Sequence, residues 1–396
     1  MIIKKERCVR ISNQYFNPAF QARIIDSHTH IGKFPKPYKD NEFFNYTRND
    51  LEPFFRKTVK GDKVEHMIVS DLTILSKQIG EKYGNESLLW ALNDPSKYTL
   101  IASCNVEENV SEISKLLDEN PNRFKGLKFH PYMQNRSIED EIYKPYFELA
   151  SKKEIPCIIH TSVEVAQDGS LADNLHNFSD PRKVYEVGKK HPKTPFVMAH
   201  LGAGGGKAHE YTVDTLIESI KKGDANLYAD ISWVDIANEG ANINERVKKD
   251  NVIKAIKRLK GIGEKDWKYG DQSFRLMFGS DAPLARFSWG NRQDHYFKFV
   301  EEIQEAIRND SELKADADKI IDDLFYNNAK KLYNIPDAKA ELPPRTISNS
   351  EKNLLALNKN MGKVALGIAG LFGLGLVLAH INTKKEAKEN HLSLVG

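Results

Sequence analysis

Between residues 24 and 335, short apolar runs alternate with longer stretches whose apolar residues recur every three or four positions. The short runs cover 24–30, 66–71, 98–106, 124–130, 156–162, 195–201, 226–232 and 275–281. They are rich in Ile, Val, Phe and Tyr, which predicts strands. The helical spacing predicts helices at 85–95, 109–120, 142–154, 212–223, 243–260, 293–309 and 317–333, and a further one opening at Asp180-Pro181. Aspartate before proline is a sound helix start, because the carboxylate caps an orphan N–H and proline has none to lose. Residues 41–60 mix aromatics with charges and suit a helical stretch interrupted near Pro53. Strands that alternate with helices pair in parallel through right-handed crossovers. Eight such units predict an α/β chain with the (β/α)8 TIM barrel as its fold. An open doubly wound sheet is the competing fold. No Gly-x-Gly-x-x-Gly follows any strand, which weakens its nucleotide-binding version.

The alternation stops at Pro336. Residues 337–360 are polar, contain Pro343-Pro344 and several Ser and Asn, and read as a linker. Residues 364–379 then carry no polar side chain, and no charge intervenes between Lys363 and Lys384. The expected organisation is a barrel over 1–336, a linker over 337–360, a hydrophobic helix over 361–383 and a polar tail over 384–396. The hydrophobic segment is about long enough to span a bilayer. Gly367, Gly370, Gly373 and Gly375 would permit close helix–helix approach. Membrane anchoring and docking on the barrel or on another copy both fit this segment. Lysines on both flanks leave its orientation undecided.

Composition narrows the function classes. Charged residues make up 29% and hydrophobic residues 40%, as in soluble globular proteins. A net charge of +3 over 396 residues gives no case for nucleic acid as partner. Cys8, Cys104 and Cys157 are odd in number and far apart, so neither a disulfide framework nor a thiolate zinc site is suggested. The N-terminus lacks the apolar run of a secretory signal, and a cytoplasmic domain is the expectation.

The strand ends carry one kind of chemistry. His28 and His30 are two apart on the first strand, so they share a face, with Asp26 behind them. Lys128 and His130 repeat that spacing on the fourth strand. His160 ends the fifth strand, His200 the sixth and Asp281 the eighth. A lone His-x-His arises by chance, and a single strand-end histidine is usually a satisfied structural residue. The joint pattern is much harder to obtain that way, because barrel active sites lie at the C-terminal strand ends. Imidazole nitrogens and a carboxylate hold a divalent ion with a position left for water, and the ion brings that water's pKa toward neutrality. Asp230 and Ser232 end the seventh strand and are placed to contact substrate. Arg286 either pairs with a substrate carboxylate or is solvated. His66 sits at the wrong end of its strand, and His176, His191, His209 and His295 lie in loops or helices.

These segments resemble a known family. His28-Thr29-His30, Gly126-Leu127-Lys128-Phe129-His130-Pro131, His160, Met198-Ala199-His200-Leu201-Gly202 and Gly279-Ser280-Asp281-Ala282-Pro283 are similar to the amidohydrolase superfamily. The branch they look most like is the amidohydrolase-related group that contains the aminocarboxymuconate-semialdehyde decarboxylase-like enzymes. Asn328-Ala329-Lys330-Lys331-Leu332-Tyr333 resembles that group's closing Asn-Ala-x-Arg-Leu-Phe helix. The resemblance implies His28, His30, His160 and Asp281 as ligands of one divalent ion, with zinc expected. It implies that His200 orients or deprotonates the metal-bound water or polarises the substrate, and that Asp281 can also take a proton. Lys128 is either a carboxylated bridge between two metals or an unmodified cation by the pocket; its Lys-x-His-Pro setting looks more like the one-metal branch. His130 lines the pocket or binds substrate, together with Lys128 and Arg286. The expected activity is metal-dependent hydrolysis of an amide, ester or lactone bond in a small molecule. A metal-dependent decarboxylase of a small aromatic or unsaturated acid is the first alternative, and a non-catalytic membrane-tethered binding protein the second. Self-association is left open.

Overall fold

The computed structural model describes residues 23–35, 43–56, 58–59, 62–73, 85–108, 110–161, 175–202, 208–232, 234–235, 247–266, 268, 274–283 and 294–336. In chain order the strands are β1 (Arg23–Pro35), β2 (Phe43–Tyr46), β3 (Thr58–Val59), β4 (Asp62–Asp71), β5 (Tyr98–Ser103), β6 (Phe124–Phe129), β7 (Cys157–Ile159), β8 (Phe196–Met198), β9 (Leu227–Asp230), β10 (Val234–Asp235), β11 (Val247–Lys248) and β12 (Leu276–Met277). The helices are α1 (Arg48–Arg56), α2 (Asn85–Ala91), α3 (Val110–Glu119), α4 (Pro131–Gln134), α5 (Lys144–Lys153), α6 (Pro181–Lys190), α7 (Ala208–Lys222), α8 (Lys249–Lys260), α9 (Asp294–Asn309), α10 (Ala317–Asp322) and α11 (Asn328–Leu332).

One sheet runs in the order β12-β9-β8-β7-β6-β5-β4-β1-β2, with β3 added beside β4. The pairs from β1 through β4, β5, β6, β7, β8 and β9 to β12 are all parallel and follow chain order. Backbone bonds then join the two ends. Ser27 N donates to Phe278 O at 3.0 Å, Asp281 N to His28 O at 2.8 Å and His30 N to Ala282 O at 2.8 Å. A parallel bridge links Thr29 to Ala282. The sheet is therefore a TIM-type barrel in which the segment after β12 meets β1, its first strand.

Strand alternation sorts the core into two parts. Met67, Leu100, Cys157, Phe196, Leu227 and Leu276 join the cluster packed with the surrounding helices. Their neighbours Ile68, Ile101, Ile158, Val197, Tyr228 and Met277 join a separate cluster inside the barrel, with Ile25 from β1. Ala329, Tyr333 and Ile335, on and just after α11, belong to that inner cluster too. The closing helix thus plugs the barrel at the end opposite the site. Each buried Ile or Val contributes roughly 1.5–3 kcal/mol through removal of its surface from water.

Three segments differ from the sequence expectation. Residues 41–60 are not one interrupted helix: β2 pairs antiparallel with the overrunning end of β1, Gly32 opposite Tyr46 and Lys33 opposite Asn45, and only α1 is helical, with Pro53 inside it. The run 195–201 is strand only to Met198; a tight 3-10 turn, Ala199–Leu201, follows, with His200 at φ 65°. The run 275–281 is regular strand only over Leu276–Met277, because Arg275 and Asp281 adopt positive φ of 53° and 59°. The helix from Pro181 forms as expected, capped by the Asp180 side chain accepting from Arg182 N. The linker, hydrophobic helix and tail expected over 337–396 lie outside the described residues, as does Arg286. Among the described residues no helix is long and apolar enough to cross a membrane.

Candidate metal centre

The polar residues sit one pleat beyond the inner apolar layer. Two residues after Ile68, Ile158 and Tyr228 come Ser70, His160 and Asp230, and Lys128 follows Gly126 by the same step. β1 reaches this level differently. Its register with β4 slips between Asp26 and Thr29, so His28 rather than Ser27 joins the layer above Ile25. Asp26 leaves the histidine face: it accepts from Ser280 N at 2.9 Å and from Ser280 Oγ at 2.6 Å. That clamp fixes the segment carrying Asp281. Gly279 is required there, because a Cβ at that position would lie 2.8 Å from His28 Cβ.

The imidazoles are held by their outer nitrogens. His28 Nδ1 lies 2.8 Å from Asp230 Oδ2. The carboxylate accepts, so Nδ1 carries the proton and the Nε2 lone pair points inward. His28 Nε2 is 3.0 Å from Lys128 Nζ and 3.5 Å from Asp281 Oδ1. His30 Nδ1 lies 2.8 Å from Ser70 Oγ, and its Nε2 lies 2.9 Å from Asp281 Oδ1. All of these side chains are buried. Ligand atoms of His28, His30 and Asp281 fall within 4.8 Å of one another, and so do those of His28, His200 and Asp230.

Burial sets the charge states. It pushes the His28 imidazole well below its ordinary pKa, helped by the nearby Lys128 cation and His30. It lowers His30 as well, against the opposing pull of Asp281. Burial raises the Asp281 carboxyl, while His30 and Lys128 work in the other direction. Lys128 is lowered to about 8 by burial, with Asp230 and Asp281 resisting. Two neutral imidazoles and a carboxylate stripped of water form a donor set suited to zinc or a similar divalent ion, whose charge would offset the desolvation of Asp281.

Beyond this group, His200 and His160 extend the site. His200 N donates to Asp230 Oδ1 at 3.0 Å, which secures the left-handed backbone that turns its ring inward. Its Nδ1 is 2.8 Å from Ser232 Oγ, and Ser232 Oγ itself donates to Asp230 Oδ1. Ser232 therefore accepts from His200 Nδ1–H, and His200 Nε2 keeps the lone pair. Burial, His160 and His28 drive the His200 pKa well down. His160 Nδ1 lies 3.0 Å from His200 Nε2, and His160 belongs to neither close group of ligand atoms. Its ring stacks on His130 with centroids 3.8 Å apart. His130 caps α4, accepting from Met133 N at 3.4 Å, so it stands at the rim.

The family model described as amidohydrolase matches residues 25–335. The chain belongs to the amidohydrolase family. Solved structures of low identity share the fold of this amidohydrolase. A probable 2-pyrone-4,6-dicarboxylic acid hydrolase from Acinetobacter baumannii, with citric acid bound, is 12% identical at a TM-score of 0.50 and covers 78% of this chain and 99% of its own. A 2,6-dihydroxybenzoate decarboxylase complexed with 2,6-dihydroxybenzoate is 13% identical at 0.50, covering 80% and 99%. An amidohydrolase from Burkholderia multivorans with bound zinc is 14% identical at 0.50, covering 80% and 100%. The comparison with curated proteins finds no match.

The sequence reading singled out His28, His30, Lys128, His200 and Asp281, and the fold brings these together, with His160 and His130 stepping outward from His200. Asp230 was read only as a residue near substrate. Its position between His28 Nδ1 and His200 N is set by strand packing; the available signal was an aspartate, two residues before a serine, at the end of the seventh strand.

Proposed function

We propose that this amidohydrolase is a metal-dependent hydrolase of a small molecule carrying an amide, ester or lactone bond, working with one divalent ion, zinc in the first instance. The observation that carries the reading is the buried convergence of His28, His30 and Asp281 within 4.8 Å. His28 Nε2, His30 Nε2 and an Asp281 oxygen would hold the ion, with His160 completing the set. The ion, when bound, supplies Lewis acidity and makes water a nucleophile near neutral pH.

The chain's own residues do the rest. Asp230 holds the His28 imidazole with its Nε2 lone pair inward, and Ser70 holds the His30 ring in place. His200, neutral at ordinary pH, receives a proton at Nε2 while its Nδ1–H stays bound to Ser232. Asp281, its pKa raised by burial, is suited to exchanging a proton at its second oxygen. Lys128 is an unmodified cation that places positive charge beside the reacting carbonyl or carboxylate. His130 and Arg286 are assigned to substrate.

Non-oxidative decarboxylation is the second reading, favoured by the same buried cation and by the fold shared with a 2,6-dihydroxybenzoate decarboxylase. One experiment separates the two. Zinc- and manganese-loaded protein is incubated with 2-pyrone-4,6-dicarboxylate and with 2,6-dihydroxybenzoate as probes. Ring opening of the lactone without carbon dioxide release supports the hydrolase; carbon dioxide from the benzoate without hydrolysis supports the decarboxylase. Protein that retains no metal after purification and reconstitution overturns both.

A further inference from the structure

Among the described residues, four buried tyrosines have named acceptors for their hydroxyls. Tyr98 Oη donates to Glu52, Tyr143 Oη to Gln134, Tyr146 Oη to the carbonyls of Asn105 and Glu108, and Tyr185 Oη to Asp224. Tyr333 is 1% exposed, and its hydroxyl has no hydrogen-bond partner among the described residues. A buried hydroxyl left unpaired keeps its full desolvation penalty, so its setting calls for an acceptor.

The position of the ring indicates where the acceptor lies. Tyr333 follows α11 and packs among Ile25, Ile68, Ile101 and Tyr228, the apolar layer immediately beneath the metal centre. Asp230 is two residues beyond Tyr228 on β9, one pleat higher. The two are electrostatically coupled: the Asp230 charge, after burial, is what opposes ionisation of Tyr333. Asp230 has capacity to spare. Its Oδ1 accepts from His200 N, Ser232 N and Ser232 Oγ, while Oδ2 accepts only from His28 Nδ1. A carboxylate oxygen has two lone pairs, so Oδ2 can take one more donor.

We propose that Tyr333 is the floor of a buried hydration site inside the barrel, in which one water takes the Tyr333 Oη–H and donates to Asp230 Oδ2. Lys128 Nζ, in the same layer as Asp230 and 3.0 Å from His28 Nε2, offers that water a third polar partner. Three partners is the usual number for an internal water. Tyr333 is then a positioning residue: through Asp230 it orients His28 Nδ1–H and fixes the direction of the inward lone pair. A helix that closes one end of the barrel is thereby linked to the ion-binding group at the other. This inference rests on the metal-centre reading for its effect on affinity, and on the orphan hydroxyl alone for the water.

The test uses the full-length chain. A crystal structure of the wild type at about 1.5 Å should show a water bonded to Tyr333 Oη and Asp230, and Tyr333→Phe should lose it. Zinc affinity, measured on apo-protein by competition with a chelator, should weaken about tenfold in Tyr333→Phe, because partners of ligand-holding groups have effects of that order. A wild-type map with no water at Tyr333 Oη overturns the proposal, and so does a variant whose zinc affinity stays within a factor of two. Wild-type protein that binds no zinc overturns the metal-centre reading instead, and the map then judges the water by itself.

Discussion

Inside one barrel, two layers built from the same strands follow opposite rules. The lower layer, Ile25, Ile68, Ile101, Ile158, Val197 and Met277, is apolar, and most of it is β-branched. The layer one pleat above holds His28, Ser70, Lys128, His160 and Asp230, and these side chains are hydrogen-bonded to one another or to His30 and His200. Backbone conformation changes with them: His200 and Asp281 take positive φ of 65° and 59°. For non-glycine residues such conformations cost of order 1–3 kcal/mol and persist only where surrounding bonds enforce them. Apolar burial lies in the lower layer, and the strained backbone lies at the upper one. The two should therefore respond differently to substitution.

The largest effect is expected in the upper layer. His28→Ala or Asp281→Asn should lower activity at least about a thousandfold and remove roughly one equivalent of bound metal, as elemental analysis of the purified variants would register. Full metal content in both variants would place the ion elsewhere. Next comes the lower layer: Ile158→Ala should cost about 3 kcal/mol in urea unfolding and leave zinc affinity unchanged, because it opens a cavity without touching a ligand. A loss of zinc affinity larger than tenfold there would erase the distinction between the layers.

A histidine outside both layers sharpens the contrast. His66, midway along β4, is buried like His28, yet its partners are the Ser96 carbonyl and the Thr99 hydroxyl, with no carboxylate bonded to it. Burial pushes its pKa from 6.5 down to about 4. The folded state binds this proton less readily than the unfolded state, so stability falls as pH drops from about 6.5 toward 4. Between pH 8 and pH 5 the loss should be about 2 kcal/mol. Urea midpoints of wild type and His66→Gln at the two pH values would isolate it; equal pH slopes in both proteins would count against it. The smallest effect is expected for Asp230→Asn, which keeps the shape of the side chain and loses the charge. Zinc affinity should fall about tenfold, with catalysis following in proportion.

Much of this arrangement is legible along the chain. The order of eight strands follows from short apolar runs separated by amphipathic stretches, and His28, His30, Lys128, His160, His200 and Asp281 all stand at or near the ends of the strands predicted from sequence, where a barrel collects its chemistry. What escaped reading depends on contacts between distant segments. The slip in β1 answers to pairing with β4 on one side and with the 278–282 segment on the other, and neither is visible in Asp26-Ser27-His28 itself. The overrun of β1 past His30 needed β2 as an antiparallel partner, so 43–46 looked helical by its aromatics alone. Asp230 was one carboxylate among many until packing set it between two histidines.

The slip between Asp26 and Thr29 has a consequence for how this chain tolerates change in length. With Ser27 in place, a straightened ladder would put Ser27 in the layer above Ile25 and leave Asp230 and Asp281 facing a hydroxyl instead of an imidazole. The irregular pairing is what delivers His28 to that layer. Substitutions can drift through β1, but a residue inserted there would have to be absorbed by a second slip or answered by a matching deletion before His28.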